Sequence, residues 1–434
     1  MTRRDPMRRA RLWRLAFLTS LVIGGAACGP STPATPPAAA SGSAAPSFPF
    51  YSPGPSGTPE AAEAVYSRIE GQVQQIRGLT AKASVTPQVL DEAGLKAALR
   101  TQFDQDNPPD QIAASQKLYE ALGLLPSDES LKELYLKLLG AAVTGYYDPD
   151  RKSLFVISRS GGLGPVEQIS FAHEFDHALQ DQNFGLQKLR TSAADQSDRS
   201  LARLSLAEGD ATLLMSDWAQ QNFTLVQMLQ FAQSALDPAQ NAVVESMPTV
   251  LRDQLTFPYT RGLSFVESLR ATGGWSAVDA AYAQPPDSSE QVMHPEKYVA
   301  HEAPVAVAFP ADLAARLGGD WRVETQDTWG EFGLVEWLIA GGGVDADAAI
   351  AATEGWGGDR LVLASSGKSY AIAIQTAWDT PADAAEFSAA AKSALAAMSG
   401  STALVENGAK GVTLFVGSDA ASVRRLRGAV TGVG

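Results

Sequence analysis

The stretch SFAHEFDHALQDQNF, Ser170 to Phe184, constrains this chain more than any other. It holds two of the four histidines, His173 and His177, four residues apart, with Glu174 directly after the first. Val166, Ile169, Ala172, Phe175 and Leu179 recur at helical spacing beside them. The segment from about Pro165 to Asn183 therefore reads as an amphipathic helix, with Pro165 and Glu167 marking its start. Residues four apart on a helix project from one side about a turn apart. Any fold must give this helix a buried stripe and, on its flank, a place for two imidazoles.

Imidazoles at this spacing can reach one zinc ion at ~2.0–2.1 Å. Glu174 turns toward the open side, where it can accept a proton from water at the metal. A catalytic zinc needs a third protein ligand and one open position. The segment RLSLAEGDATLLM offers one, on a helix from about Asp198 to Phe223. Leu201, Leu204, Ala211 and Met215 form its apolar stripe, and Glu208 sits inside that stripe. A carboxylate there is costly unless it is paired or metal-bound. Gly209 beside it allows another helix backbone to come close.

Asp210 competes with Glu208, since it too lies among leucines, Leu206 and Leu213. It is also suited to hold the ring N–H of a ligand histidine. His294 and His301 stay open as further ligands. A hydrolase also needs a donor for the developing oxyanion. His294 in VMHPEKY is the first choice, followed by Tyr298, Tyr259 and Arg261. The alternative for His294 is a hydrogen bond that fixes its loop. Tyr146 and Tyr147 fall on the strand before the histidine helix, where packing is the simpler role.

Composition decides the setting. With 45% hydrophobic residues and a net charge of -14, the chain reads as a soluble globular body. Its first residues differ: MTRRDPMRRARLWR is basic, and Leu15 to Ala27 is apolar. That run is shorter than the roughly 20 residues that span a bilayer, so residues 1–27 read as a signal peptide. It ends at Cys28, the only cysteine. The pattern LVIGGAAC resembles a bacterial lipoprotein signal, which implies a lipid on Cys28 and attachment to a membrane. Residues 28–58 are rich in Pro, Ala, Ser and Gly and read as a tether. Removing residues 1–27 takes away six arginines and one aspartate, giving (34 − 6) − (48 − 1) = -19. So acidic a body argues against nucleic acid as a partner. GEFGL and EGWGGDR do not lead a strand into a helix, so no nucleotide site is expected.

The body divides by its periodicity. Thr58-Pro59-Glu60 reads as a helix start. Helices are expected from Thr86 to about Phe103, from Gln111 to Leu122, and after Ser127. VTGYYDPDRKSLFVIS then alternates and turns at Asp148-Pro149-Asp150, a β-hairpin. Later helices are separated by a loop, AQPPDSSEQVMHPEKYVAHEAP. From residue 356 a small unit of two strand pairs and two helices closes the chain. The expected fold class is α+β: a mainly helical body over 59–355 and an α+β subdomain over 356–434.

HEFDHALQDQ followed by LAEGDATLLM resembles the gluzincin type of zinc metallopeptidase. More closely, the chain resembles a bacterial group of secreted or lipoprotein-type proteins with a metallopeptidase domain. That likeness rests on GYYDP, HE-x-x-HALQDQ, EGDAT, SSEQVMHPEKY and GWGGDR, and spans roughly residues 60 to 400. It implies a zincin-like body, zinc on His173, His177 and Glu208, and Glu174 as general base. Thirty residues lie between His177 and Glu208 (208 − 177 − 1), more than in the best-known gluzincins. The expected activity is cleavage of a protein or peptide outside the cytoplasmic membrane. The alternatives are a zinc-binding lipoprotein without activity and a zinc amidase acting on the cell wall.

Overall fold

The computed structural model describes residues 18–21, 61–158, 162–191, 195–235, 238–398 and 400–432. Cys28, the tether and the helix start at Thr58 lie outside the described residues, as does the expected leader apart from Leu18–Leu21. The protein is a mixed α and β structure, mostly helical, with two sheets. No helix among the described residues is long and apolar enough to cross a membrane.

The first sheet has the order β1-β3-β4-β2. Its centre is the expected hairpin, β3 (Val143–Asp148) and β4 (Ser153–Ile157). Asp148 builds the turn by accepting the Asp150 and Arg151 backbone N–H at 2.9 and 3.0 Å. β1 (Leu18–Leu21) runs antiparallel to β3. β2 (Pro87–Leu90) joins β4 in parallel. The range from Thr86 to Phe103, expected as one helix, is therefore a strand followed by α2 (Glu92–Asp106). Asp91 makes the break: its side chain caps α2 by accepting the Gly94 N–H at 2.7 Å.

Helices surround this sheet. α1 (Ala62–Arg77) ends at Gly78, whose φ of 74° suits glycine. α3 (Pro109–Ala121) and α4 (Leu131–Ala142) precede the hairpin. α5 (Pro165–Phe184) follows it and carries the two histidines. Next come α6 (Ser197–Asn222), α7 (Leu225–Ala235), α8 (Pro238–Glu245), α9 (Thr249–Gly273) and α10 (Trp275–Ala283). The expected loop beyond α10 contains two short helices, α11 (Ser289–Met293) and α12 (Pro295–Val299). Val65, Ile69 and Val73 of α1 meet Phe171, Phe175 and Leu179 of α5 in one apolar core.

The second sheet has the order β5-β6-β7-β9-β8, with every neighbour antiparallel. Its elements are α13 (Leu313–Leu317), β5 (Arg322–Asp327), α14 (Gly330–Glu336), α15 (Ala346–Thr353), β6 (Trp356–Ser366), β7 (Ser369–Trp378), α16 (Pro381–Ala397), β8 (Thr402–Asn407), β9 (Gly411–Gly417) and α17 (Ala420–Thr431). The sheet thus begins at Arg322 and gains β5 beyond the strands expected from residue 356 onward. Both faces are covered, which explains the unbroken apolar run LVLA in β6. Leu361 and Leu363 face Phe387 and Ala391 of α16, while Val362 and Ala364 face Val423 and Leu426 of α17. The α16 side continues through Trp337 and Leu338 to Leu118 of α3 and Leu122 just after it, so the two units share a core.

Candidate metal centre

α5 is the central helix of the body, and no residue from Ile169 to Asp181 is exposed. The sequence suggests a flank open to a cleft. Instead His173, Glu174, Asp176 and His177 all have zero exposure. α1, the β3–β4 hairpin and α6 enclose most of the helix, with β1 and α7 against it as well.

Burial brings three ligating atoms together. His173 Nε2 and His177 Nε2 are 3.0 Å apart. Glu208 Oε2 of α6 stands 3.1 Å from the first and 3.3 Å from the second. Atoms bound tetrahedrally at about 2.0–2.1 Å from one ion stand about 3.3–3.4 Å apart. The triangle has the dimensions of a metal site, and it is the buried one of two such groups among the described residues.

The tautomer of His177 fits as well. Gln180 Nε2 donates to Asp176 Oδ2 at 2.8 Å and to the Ala207 carbonyl at 3.1 Å, which orients the amide. Gln180 Oε1, 3.0 Å from His177 Nδ1, must then accept from it. Nδ1 carries a proton, so Nε2 is the ring nitrogen turned to the triangle and the one that a metal would take in place of a proton.

The electrostatics agree. Burial raises the Glu208 carboxyl, but the two histidines outweigh it and hold Glu208 below the usual carboxylate range. Burial lowers His177, yet the Glu208 charge and hydrogen bond raise it to about 9. His173 is lowered, chiefly by burial, with the His177 charge adding. The Glu208 carboxylate is thus matched by positive charge on His177, the charge that a bound cation would replace. Glu174 is near enough to raise His177 from one side and Tyr146 from the other.

Asp210 turns away from the triangle. Its oxygens accept from Arg77 Nε and Nη2 at 2.8 and 3.0 Å and from the Tyr282 hydroxyl at 2.8 Å. The Arg77 guanidinium also meets Asp279 at 2.7 Å and lies over the Trp275 ring, 4.5 Å from its centre. Asp210 therefore holds α6 to α1 and α10 rather than holding a histidine ring. The sequence reading missed Arg77, Gln180, Asp176 and Tyr282. Only Gln180 left a signal, being part of HALQDQ.

The helix that bears Tyr259 comes close through two glycines. A Cβ on Gly209 of α6 would stand 2.1 Å from the Gly262 carbonyl oxygen of α9. The crossing sets the buried Tyr259 ring beside His173, centres 6.2 Å apart and planes at 28°. His294 lies elsewhere: its Nε2 is 3.0 Å from Glu331 Oε1, a bond that raises the imidazole. Tyr298 donates to the Gln284 carbonyl at 2.8 Å, and Arg261 is exposed. His301 occupies an exposed turn with φ of 55°. Tyr146 stacks on Phe155 with centres 4.4 Å apart, and Tyr147 donates to Asp181 at 2.9 Å, so both pack the hairpin.

The second acidic group, Glu290, Glu302 and Asp379, already surrounds a cation. Lys297 Nζ lies 2.5, 2.9 and 3.0 Å from their oxygens. The SSEQ and GWGGDR segments are joints. Ser289 N–H donates to Asp198 at the start of α6, at 2.9 Å. Asp359 accepts the backbone N–H of Trp329 and Gly330 at 3.0 and 2.8 Å.

A family described as Domain of unknown function (DUF8575) matches residues 319–433, the span of the five-stranded sheet unit. No curated protein and no solved structure matches the chain.

Proposed function

We propose that the chain is a zinc-dependent hydrolase, a metallopeptidase with a zincin-like body held at the outer face of a membrane. His173, His177 and Glu208 hold the metal, and Glu174 is the general base. One observation carries this reading: two imidazole nitrogens and a carboxylate oxygen meet 3.0–3.3 Å apart, and the charge of the buried Glu174 acts on His177. Two imidazoles with one carboxylate suit zinc.

A zinc ion held by these three residues would supply a Lewis acid able to polarise a carbonyl and to acidify water. Glu174 would be the group that accepts a proton from the attacking water and passes it to the leaving amine. Its burial lets its charge act in a medium of low dielectric. Gln180 fixes the His177 ring. Tyr259, whose ring lies against His173, is placed nearer the metal than His294 and is the first candidate to donate to the developing oxyanion.

A peptide substrate is favoured by the β3 edge. Leu18–Leu21 runs along it in antiparallel register, against α5 and α6. Loss of residues 1–27 as a signal peptide leaves that edge to an extended substrate. Attachment through a lipid on Cys28 rests on the LVIGGAAC pattern.

The test combines metal analysis with digestion assays on unfolded protein and on peptidoglycan. The expected result is one zinc per chain and cleavage of unfolded protein. Glu174→Gln should keep the zinc and lose about 10²-fold or more in rate. Equal rates would remove Glu174 as base. Cleavage of peptidoglycan alone would indicate an amidase, and zinc without cleavage a binding protein.

A further inference from the structure

A cavity of about 80 Å³ lies where α3, α4, β5 and α14 meet the first turns of α6 and α9. None of His173, Glu174, His177 and Glu208 lines it. Tyr119, Tyr135 and Trp329 supply aromatic wall, and Asp198, Asp327 and Glu336 supply carboxyl groups. No lysine, arginine or histidine is among the residues that line it.

Two of these acids are engaged by backbone. Asp198 accepts the Ser289 N–H at 2.9 Å, and Asp327 accepts those of Ser197 and Thr328 at 3.0 and 2.8 Å. Glu336 differs. It is 5% exposed, and its Oε2 is buried with no hydrogen-bond partner among the described residues. The nearby Arg252 is turned to Asp253, Nε to Oδ1 at 2.8 Å. Burial, helped by the Asp253 charge and opposed by that of Arg252, pushes the Glu336 carboxyl up to about 8. One buried carboxyl oxygen is thus left without a donor, a place that a cationic N–H can fill.

A metal ion does not fit that need. Asp198, Asp327 and Glu336 do not bring ligand atoms within 4.8 Å of one another, as the groups able to hold a metal do. Aromatic walls beside a single unengaged carboxyl suit an organic cation instead. The volume is that of roughly five to eight waters, enough for a ligand of about five or six heavy atoms.

We propose that this cavity binds a small organic cation, an ammonium or guanidinium on a short apolar stem, with the nitrogen at Glu336 and the stem against Tyr119, Tyr135 and Trp329. The site is separate from the metal centre, and its test does not depend on hydrolysis.

Calorimetric titration of the full chain with butylammonium chloride is the direct experiment, with n-butanol as the neutral isostere. N-acetyl-lysine methylamide in a parallel arm tells a free amine from a polypeptide side chain, and either one binding supports the site. Butylammonium should bind saturably and butanol at least about tenfold more weakly. Glu336→Gln, with its fold checked by thermal melting, should lose about tenfold or more in affinity. Val250→Leu, which fills the cavity from α9, gives the same loss should Glu336→Gln fail to fold. Glu208→Ala should leave the titration unchanged. The idea is overturned if neither cation binds, if butanol matches butylammonium, or if the two cavity variants bind as the parent does.

Discussion

Gly209 and Gly262 touch backbone to backbone where α6 crosses α9. A methyl on Gly262 would stand 2.3 Å from the Ser205 carbonyl oxygen, and one on Gly209 2.1 Å from that of Gly262. Gly209 adjoins Glu208, and Gly262 lies one turn after Tyr259. The close crossing therefore sets the distance between Glu208 and the Tyr259 ring beside His173.

Gly209→Ala should destabilise the protein by about 2–3 kcal/mol. Overpacking at a backbone contact outweighs the helix propensity that alanine adds. Gly71→Ala in α1 is the control, since a Cβ there meets nothing within 4 Å. It should stabilise by about 0.5–1 kcal/mol. Denaturant melts of the pair check both signs. Equal behaviour would mean that the helices are not in contact.

Glu208→Ala and Asp210→Asn should separate two carboxylates that look alike in sequence. The first should lose zinc, measured by atomic absorption after dialysis. The second should keep it and lose about 3 kcal/mol of stability, because Arg77 keeps its buried charge without its main partner. Zinc loss in Asp210→Asn at full stability would reverse the assignment.

Gln180→Leu should weaken zinc binding about 10- to 100-fold without removing any ligand. Its cause is the lost acceptor for His177 Nδ1–H. Competition with a chromogenic chelator reads the change directly. An unaltered affinity would show that the His177 ring does not need this support.

Stability should fall as pH rises. Burial outweighs the hydrogen-bond donors and pushes Asp198 up to about 8, Asp327 to about 7 and Asp359 to about 6. The folded state then holds protons that the unfolded state releases near pH 4. The contribution is present below about pH 4 and is lost by about pH 8. Melting temperature followed from pH 5 to 8.5 should drop, and Asp327→Asn should flatten the slope. A rise across that range would contradict the sign.

Much of the site was legible in the sequence because it depends on local periodicity. Two histidines four apart on a helix share a side wherever that helix packs. Gly209 next to Glu208 announced a close crossing before any partner helix was known. The hairpin was equally plain, since alternation and the Asp148 turn are short-range signals. The range after Thr86 was misleading because its apolar spacing suits a helix, while β4 offered Pro87–Leu90 a strand to join.

By itself, then, the sequence determined that His173 and His177 share one side of a helix with Glu174 next to them, and that a hairpin precedes that helix. Those follow from spacing along one backbone. Tertiary structure alone decided that Glu208 meets the histidines while Asp210 meets Arg77 from α1. Two positions on one helix point about 200° apart, and both lie among apolar residues, so only the neighbouring helices could tell them apart. The same holds for the cavity at Glu336, whose walls come from segments more than two hundred residues apart in the chain.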